Sequence, residues 1–163
     1  MNSISFAPIV DNNSKVLILG TMPGIVSLKG QQYYANKRNV FWPIIFNLFN
    51  SEYTENYELR KNIVLNNKIA LWDTLKYCYR EGSLDSKIEN EEPNEINKLL
   101  NQYKNIKSVI FNGLSAEKYY KKYNVLNNSF SYYTMPSTSP ANAKKSFNEK
   151  LAIWSIVKEL IKY

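Results

Sequence analysis

The apolar positions of this chain fall either into short unbroken runs or into segments where they recur every three or four residues. An unbroken run that ends in a turn residue is typical of a buried strand, whereas the second pattern is typical of a helix with one face in the core. The continuous apolar run Lys15–Gly20 predicts a buried strand, and three further candidate strands follow at Lys68–Leu75, Ser108–Gly113 and Phe130–Ser137. The periodic segments predict four helices, Arg38–Phe49, Pro93–Tyr103, Ser115–Tyr123 and a last helix from about Ala143.

Strands that alternate with helices favour an α/β fold with a parallel sheet. We therefore predict a single domain over residues 1–163, built as a three-layer α/β/α sandwich around a central, mainly parallel four-stranded sheet. Ligands of such sheets bind at the carboxyl ends of the strands, where the loops converge. Each predicted strand runs into an unusual loop, namely "GTMPG", "WDTLKYCYREGSLDS", "NGLSA" or "MPSTSPANA". We expect these four loops to form a cleft at one edge of the sheet.

The composition narrows the chemistry that such a cleft can hold. The chain has no histidine and one cysteine, Cys78, so an internal disulfide is impossible and we expect neither a metal site nor a cofactor. Catalysis would then depend on Asp, Glu, Asn, Ser, Tyr, Lys or backbone amides. No apolar run approaches the roughly 18 residues of a membrane span, and the N-terminus lacks the pattern of a signal peptide. We expect a soluble, cytoplasmic monomer.

The net charge of +7 is concentrated in the last third of the chain. Residues 1–100 carry eleven basic and eleven acidic side chains, whereas residues 101–163 carry ten lysines and three glutamates. A basic face suits a polyanion such as DNA, because each neutralised phosphate releases counterions. A solvated, lysine-rich surface without a partner is the alternative interpretation.

Two segments near the start of the chain suit a nucleobase. In "GTMPG", Gly20 and Gly24 allow the backbone to approach a ligand closely, although neither a P-loop nor a dinucleotide-binding pattern is present. In "QQYYANKRN", a tyrosine can stack on a base while a carboxamide bonds its edge or holds a water molecule. The alternatives are a plain turn, tyrosines that belong to the core, and asparagines that only form turns and helix caps.

The loop "MPSTSPANA", Met135–Ala143, combines stiffness with polar side chains. Its two prolines restrict the backbone, and its Ser, Thr and Asn side chains can bond phosphate oxygens together with backbone amides. Lys144 and Lys145 follow directly. The loop is therefore a candidate DNA contact, with an ordinary capped loop as the alternative.

Together these segments resemble the DNA-deoxyinosine (hypoxanthine-DNA) glycosylase family within the uracil-DNA glycosylase superfamily. The resemblance rests on "LILGTMPGIVSLKGQQYYANKRNVFW", "IALWDTLKYCYREGSLDSKIENEEPNEI", "VIFNGLSA" and "MPSTSPANA", which follow the family order over most of the chain. It implies a monofunctional glycosylase of base excision repair that flips a deaminated base, most of all hypoxanthine, out of double-stranded DNA and hydrolyses its N-glycosidic bond. Excision of uracil, and a non-catalytic nucleic-acid-binding domain of the same fold, are the alternatives.

The resemblance also implies a catalytic residue. The first motif of the superfamily commonly has an Asn or Asp two residues after its leading glycine, but this chain has Met22 there, which cannot activate water. A second asparagine stands before the Phe-Trp pair of the family, and Asn39 of "NVFW" occupies that position. Asn39 is therefore the expected catalytic residue, with Asn36 as the alternative. Because the histidine that some members use near the leaving base is absent, amides of the first loop and the hydroxyls of Ser137 and Ser139 would stabilise that base.

The remaining expected contacts follow the same motifs. The residues expected to bind the base are Gly20, Thr21, Met22, Tyr34, Asn36 and Asn112, with Tyr34 as the stacking aromatic. Those expected to contact DNA are Ser137, Thr138, Ser139, Asn142, Lys144 and Lys145. We expect Asp73 to fix a loop as a hydrogen-bond acceptor, whereas for Asp85 both that role and the stabilisation of positive charge on the sugar stay open.

Overall fold

A computed structural model of the chain describes all residues from Met1 to Tyr163. It contains seven strands, seven α-helices and one short 3₁₀ helix, Asp85–Lys87. The strands are β1 (Asn2–Ile4), β2 (Val16–Gly20), β3 (Ile69–Asp73), β4 (Leu75–Tyr79), β5 (Glu89–Pro93), β6 (Ser108–Asn112) and β7 (Ser131–Met135). The helices are α1 (Ile25–Gly30), α2 (Phe41–Leu48), α3 (Tyr57–Asn66), α4 (Ile96–Gln102), α5 (Leu114–Tyr123), α6 (Phe147–Trp154) and α7 (Ile156–Leu160). No helix has the length and apolar character needed to cross a membrane.

Four strands form the predicted parallel sheet, in the order β3-β2-β6-β7. Strand β2 reads VLILG and is buried along its whole length, as expected of a strand with both faces covered. The register pairs Gly20 at the end of β2 with Asp73 at the end of β3, and Asn112 at the end of β6 with Met135 at the end of β7. The carboxyl ends of all four strands therefore meet at one edge.

Alternate side chains of β2 point into two separate apolar cores. Val16 and Ile18 pack with helices α2, α3, α6 and α7, whereas Leu17 and Leu19 pack with α4 and α5. Each fully buried aliphatic side chain contributes roughly 1.5–3 kcal/mol, so the helices stabilise the sheet from both faces. The predicted three-layer α/β/α arrangement is confirmed.

A second, antiparallel sheet was not predicted. Strands β1, β4 and β5 pair in the order β1-β4-β5, so the prediction of a loop over residues 76–79, after the predicted strand Lys68–Leu75, is wrong. In β4 the side chains of Leu75 and Cys78 are buried, whereas that of Lys76 is exposed. Only Thr74 separates β3 from β4, and its N–H donates to the carbonyl oxygen of Gly20 at 2.8 Å. This turn divides the predicted strand Lys68–Leu75 and ties its end to the end of β2.

Helix α2 begins at Phe41, three residues later than predicted. The N–H of Phe41 donates to Oδ1 of Asn39 at 2.9 Å. This bond satisfies one of the N–H groups that a helix leaves without a partner in its first turn. Residues 38–40 therefore form the turn that leads into the helix.

Helices α4 and α6 also begin later than predicted. Pro93 ends β5 instead of opening α4, and because β5 is an edge strand the missing N–H of proline is tolerated there. Helix α6 begins at Phe147 and not near Ala143, because Ser146 and Glu149 form a reciprocal capping box.

Helix α5 starts at Leu114, so Ser115 lies in its first turn and is not the predicted cap. The preceding Gly113 has a φ of 96°, in the left-handed region that favours glycine. A Cβ atom on this glycine would lie 2.9 Å from Cβ of Ser137, which is too close for ordinary packing. Gly113 therefore lets the loop after β7 approach the end of β6. The apolar pattern did not predict α1 and α3.

Candidate active site

A cleft of about 450 Å³ opens where the four parallel strands end. This volume falls in the range of small-molecule sites. The segments that line it are the loop after β2, Tyr33 to Asn39, Asp73, Ser83 to Asp85, Asn112 with Ser115, and the loop Ser137 to Asn142. The expected cleft at the sheet edge is therefore present, and its walls come from all four loops that the sequence singled out.

Most of the predicted site residues lie in this one cleft. They are Gly20, Thr21, Met22, Tyr34, Asn36, Asn39, Asn112, Ser137, Thr138, Ser139 and Asn142. The two predicted DNA-binding lysines, Lys144 and Lys145, are exposed on the chain that follows the cleft loop. The cleft also holds Asp85 and Ser115, and Asp73 forms part of its wall.

Asn39 lines the cleft and also stabilises the turn that leads into α2. Its backbone N–H donates to the carbonyl oxygen of Asn36 at 2.8 Å, and its Oδ1 accepts the N–H of Phe41 at 2.9 Å. A carbonyl oxygen has a second lone pair, so Oδ1 can accept a further hydrogen bond from a water molecule while the helix holds it in place. In the same turn, Oδ1 of Asn36 accepts the N–H of Arg38 at 2.9 Å.

The two neighbouring tyrosines have different surroundings. Tyr33 is only 3% exposed, and its hydroxyl donates to the carbonyl oxygen of Ala7 at 2.8 Å, so it belongs to the core. Tyr34 has a φ of 55°, an uncommon left-handed conformation that usually costs about 1–3 kcal/mol. Its ring stacks on Phe41, with 4.0 Å between ring centroids and 27° between planes. The fold thus holds an aromatic face in the cleft in a strained backbone conformation.

The side chain of Asn112 holds the loop after β7 in place through two hydrogen bonds. Its Nδ2 donates to Oγ1 of Thr138 at 2.9 Å, and its Oδ1 accepts the N–H of Thr138 at 3.0 Å. The backbone carbonyl of Thr138 accepts the N–H of Val40, and that of Pro136 accepts the indole N–H of Trp154. The Thr138 side chain is therefore buried within the loop, and Asn112 uses both ends of its carboxamide to position it.

A buried lysine supports the outer part of the same loop. Nζ of Lys150 donates to the carbonyl oxygen of Asn142 at 2.7 Å, and the side chain of Lys150 is only 5% exposed. Burial lowers the pKa of this ammonium group. Lys150 was not predicted as a site residue, although it follows Phe147 by three residues on the inward side of α6. Within the loop, Nδ2 of Asn142 donates to the carbonyl oxygen of Ser137 at 3.2 Å.

Two carboxyl groups share the cleft. Burial raises the pKa of Asp73 to about 7, the negative charge of Asp85 adds to the rise, and Arg80 opposes it. Burial also raises the pKa of Asp85, which lies 3.3 Å from the guanidinium group of Arg80. Oδ2 of Asp73 is buried without any hydrogen-bond partner. The expectation that Asp73 fixes a loop as an acceptor is therefore wrong for this oxygen.

The neighbours of Met22 explain why an apolar residue stands at this position. Its side chain is 7% exposed and packs with Leu75, Cys78 and Tyr119 in a small apolar cluster beside the cleft. Two of these neighbours belong to β4, so the second sheet supplies the apolar surroundings of this position. A polar side chain here would lose water without gaining a partner from this cluster.

Comparisons with known proteins agree with this geometry. The family model of the Uracil DNA glycosylase superfamily matches residues 7–160. A hypoxanthine DNA glycosylase of Methanosarcina barkeri is 38% identical over 120 residues, which cover 73% of this chain and 76% of that protein. A hypoxanthine DNA glycosylase of Methanosarcina acetivorans is 35% identical over 148 residues, which cover 89% of this chain and 91% of that protein.

A solved structure shows the same fold. It is the solution NMR structure of a Methanosarcina acetivorans protein provisionally described as a uracil DNA glycosylase. The match has a TM-score of 0.81 and 31% sequence identity, and it covers 98% of this chain and 99% of that one. With the family match over nearly the whole length, the chain belongs to the uracil DNA glycosylase superfamily.

Proposed function

We propose that the chain is a monofunctional DNA glycosylase of base excision repair that removes hypoxanthine from double-stranded DNA. The observation that carries the proposal is that Tyr34 and Asn39 line one cleft of nucleobase-binding character in a chain of this superfamily. The names of the Methanosarcina relatives support hypoxanthine as the base. We propose that residues 1–163 act as one domain and as a monomer, without a cofactor.

In the proposed reaction the flipped base stacks on Tyr34 and the attacking water is held by Asn39. Hydrolysis at C1′ passes through an oxocarbenium-like state, so the water needs placement more than deprotonation. Oδ1 of Asn39 is fixed by the first turn of α2 and keeps a lone pair for that water. A group placed in this way typically accelerates a reaction by about 10²–10⁴-fold.

The DNA backbone is proposed to lie along the loop Ser137 to Asn142. Ser137 and Ser139 bond backbone N–H groups within the loop, and the loop is anchored to α6 through Lys150, so its shape is set before DNA binds. Lys144 and Lys145 lie just beyond it on the basic part of the chain. Such phosphate contacts position the duplex without reading its sequence.

The function is tested by base release from matched duplexes that carry inosine, uracil, xanthine or no lesion, followed by alkaline cleavage at abasic sites. We expect cleavage at inosine. Cleavage at uracil alone would keep the fold and the chemistry but reject hypoxanthine as the preferred base. If folded protein releases no base from any duplex, the proposal is wrong.

Replacing Tyr34 with alanine should weaken binding to an inosine duplex by about 1–3 kcal/mol, the usual contribution of stacking between a base and an aromatic ring. Tyr34→Phe is the matched control, because it keeps the ring and removes only the hydroxyl. Fluorescence anisotropy with inosine and undamaged duplexes measures the effect. Equal affinities of the alanine and phenylalanine variants for inosine DNA would show that the ring does not stack on the base.

Replacing both Lys144 and Lys145 with alanine should reduce the slope of log affinity against log salt by about one to two, since each lost phosphate contact removes about 0.9. Lys104→Ala with Lys107→Ala is the control pair, because these exposed lysines precede β6, at the sheet edge opposite the cleft. Titrations of an undamaged duplex at several salt concentrations give the slopes. If only the variant with Lys104→Ala and Lys107→Ala changes the salt slope, the DNA binds at the opposite edge of the sheet.

A further inference from the structure

The wall of the cleft contains a buried carboxyl oxygen that no group of the protein satisfies. Oδ2 of Asp73 is buried without a hydrogen-bond partner. The hydroxyl of Tyr34 is buried in the same wall, but the side chain of Asn112 acts on it as a hydrogen-bond partner and lowers its pKa, so it is not a second unpaired group. Buried polar groups are nearly always paired in folded proteins, so the Asp73 oxygen needs an explanation. A partner supplied by a bound ligand is such an explanation.

Gly20 brings these two groups to the same place. A Cβ atom on Gly20 would lie 2.5 Å from Oδ1 of Asp73 and 3.1 Å from Oη of Tyr34. The absence of a side chain at Gly20 therefore leaves the room that the carboxyl group occupies. Oδ1 of this carboxyl group and the hydroxyl end of the Tyr34 ring therefore lie on the same side of Gly20, so the edge of a base stacked on that ring would lie near the carboxyl group.

Burial, with a smaller contribution from the negative charge of Asp85, favours the neutral form of Asp73 near pH 7, and Arg80 opposes it. The ionisable groups that act on it or face it are Asp85, Arg80, Tyr33, Tyr34 and Tyr57. The three tyrosines stay protonated, since burial raises the pKa of each. The pKa of Asp73 is raised to about 7, and the phosphates of a bound duplex add further negative charge. A neutral carboxyl group has an O–H that can donate a hydrogen bond.

We propose that Asp73 selects deaminated bases by donating a hydrogen bond from Oδ2 to the carbonyl oxygen that deamination puts in place of an amino group. This inference rests on the proposed function and names its substrate class, bases such as hypoxanthine, xanthine and uracil. Adenine or cytosine would present an amino group to the same oxygen. Two donors would then face each other, and both would stay unpaired in a buried site.

The same bond assists the departure of the base. When the bond between C1′ and the base nitrogen breaks, both electrons go to the base, and part of that negative charge reaches the carbonyl oxygen. Water adds its oxygen and one proton to C1′ as a hydroxyl group, and its other proton ends on the base. A donor at the carbonyl oxygen bonds more strongly to the departing base than to the intact nucleotide, so it lowers the barrier.

The first test is the pH dependence of kcat/KM for hypoxanthine release between about pH 5.5 and 9. Activity needs the neutral carboxyl group, so wild-type activity should fall as pH rises through about 7. Asp73→Asn keeps an N–H donor without a titrating proton and should remove this fall. Asp73→Leu should lower release roughly ten- to a hundredfold, the effect of one buried hydrogen bond.

Two further variants separate this role from a general change of structure. Asp85→Asn removes the charge that helps to raise the pKa of Asp73, so the fall should move to lower pH. Glu52→Gln, at an exposed position, should leave the profile unchanged. If the enzyme releases hypoxanthine but the Asn and Leu variants of Asp73 share the wild-type rate and pH profile, the inference is wrong and the proposed function stands.

A second test does not depend on turnover. The chain has only three aspartates, Asp11, Asp73 and Asp85, so selective ¹³C labelling of the aspartate side-chain carboxyl carbon gives three signals that Asp73→Asn and Asp85→Asn assign. We expect a duplex with 2′-fluoroarabino-inosine, which resists hydrolysis, to raise the pKa of Asp73 more than the matching fluoroarabino-adenosine duplex does. Equal shifts with the two duplexes overturn the inference, even if the enzyme releases no base and the proposed function fails.

Discussion

Replacing Asn39 with alanine is expected to lower hypoxanthine release at least about a hundredfold. The carboxamide of Asn39 lies in the wall of the cleft with its oxygen fixed by Phe41, and no other asparagine of the cleft is anchored to the start of α2 in this way. Single-turnover measurements with an inosine duplex report the chemical step directly. The loss corresponds to about 3–5 kcal/mol of barrier.

The effect on catalysis must be separated from the loss of a hydrogen bond in the turn before α2. Because Oδ1 of Asn39 accepts the N–H of Phe41, the alanine variant should lose about 1 kcal/mol of stability. Asn39→Ser is the matched control, since a serine hydroxyl can accept the same N–H but offers no carboxamide. We expect serine to restore the free energy of unfolding without restoring base release. Full activity in the serine variant would mean that Asn39 only stabilises the turn before α2 and that Asn36 holds the water.

The sheet and the cleft could be predicted because their signals are local. Val16–Gly20 is an unbroken apolar run, and Ser108–Asn112 contains the apolar residues Val109 to Phe111, as is typical of short strands covered on both faces. Parallel connections then place their ends at one edge, so the loops that follow them had to meet. The family motifs occupy those same loops, which is why most predicted site residues lie together.

The second sheet could not be predicted because its pairing is not local. Strand β1 has three residues, and Asn2 pairs with Tyr79 across most of the first half of the chain. No sequence feature near Asn2 or Tyr79 indicates that these two residues pair. The same holds for Lys150, whose role depends on the carbonyl oxygen of Asn142, and for Asp73, whose unpaired oxygen is defined by what surrounds it in three dimensions. A contact pattern of this kind appears only when the chain is folded.

Replacing Gly20 with alanine should lower the free energy of unfolding by about 1–3 kcal/mol and base release by about a hundredfold. The added Cβ would lie 2.5 Å from Oδ1 of Asp73, so the carboxyl group must move. It would also lie 3.1 Å from Oη of Tyr34, so the stacking ring is disturbed at the same time. Chemical denaturation and single-turnover release measure the two effects. Gly30→Ala is the control, because its Cβ would meet nothing closer than Ala35 at 4.0 Å.

A double variant shows whether the two losses have one cause. If the added methyl group destabilises the protein by colliding with Asp73, removing that side chain in Gly20→Ala with Asp73→Ala should restore part of the lost stability, which is a non-additive effect of neighbouring residues. Base release should not recover, because the carboxyl group proposed to bond the base is then absent. Recovery of stability alone would mean that Gly20 serves to admit the Asp73 carboxyl group. Strictly additive losses would contradict that explanation, since they would show that the methyl group acts on the backbone of β2 and not on its neighbour.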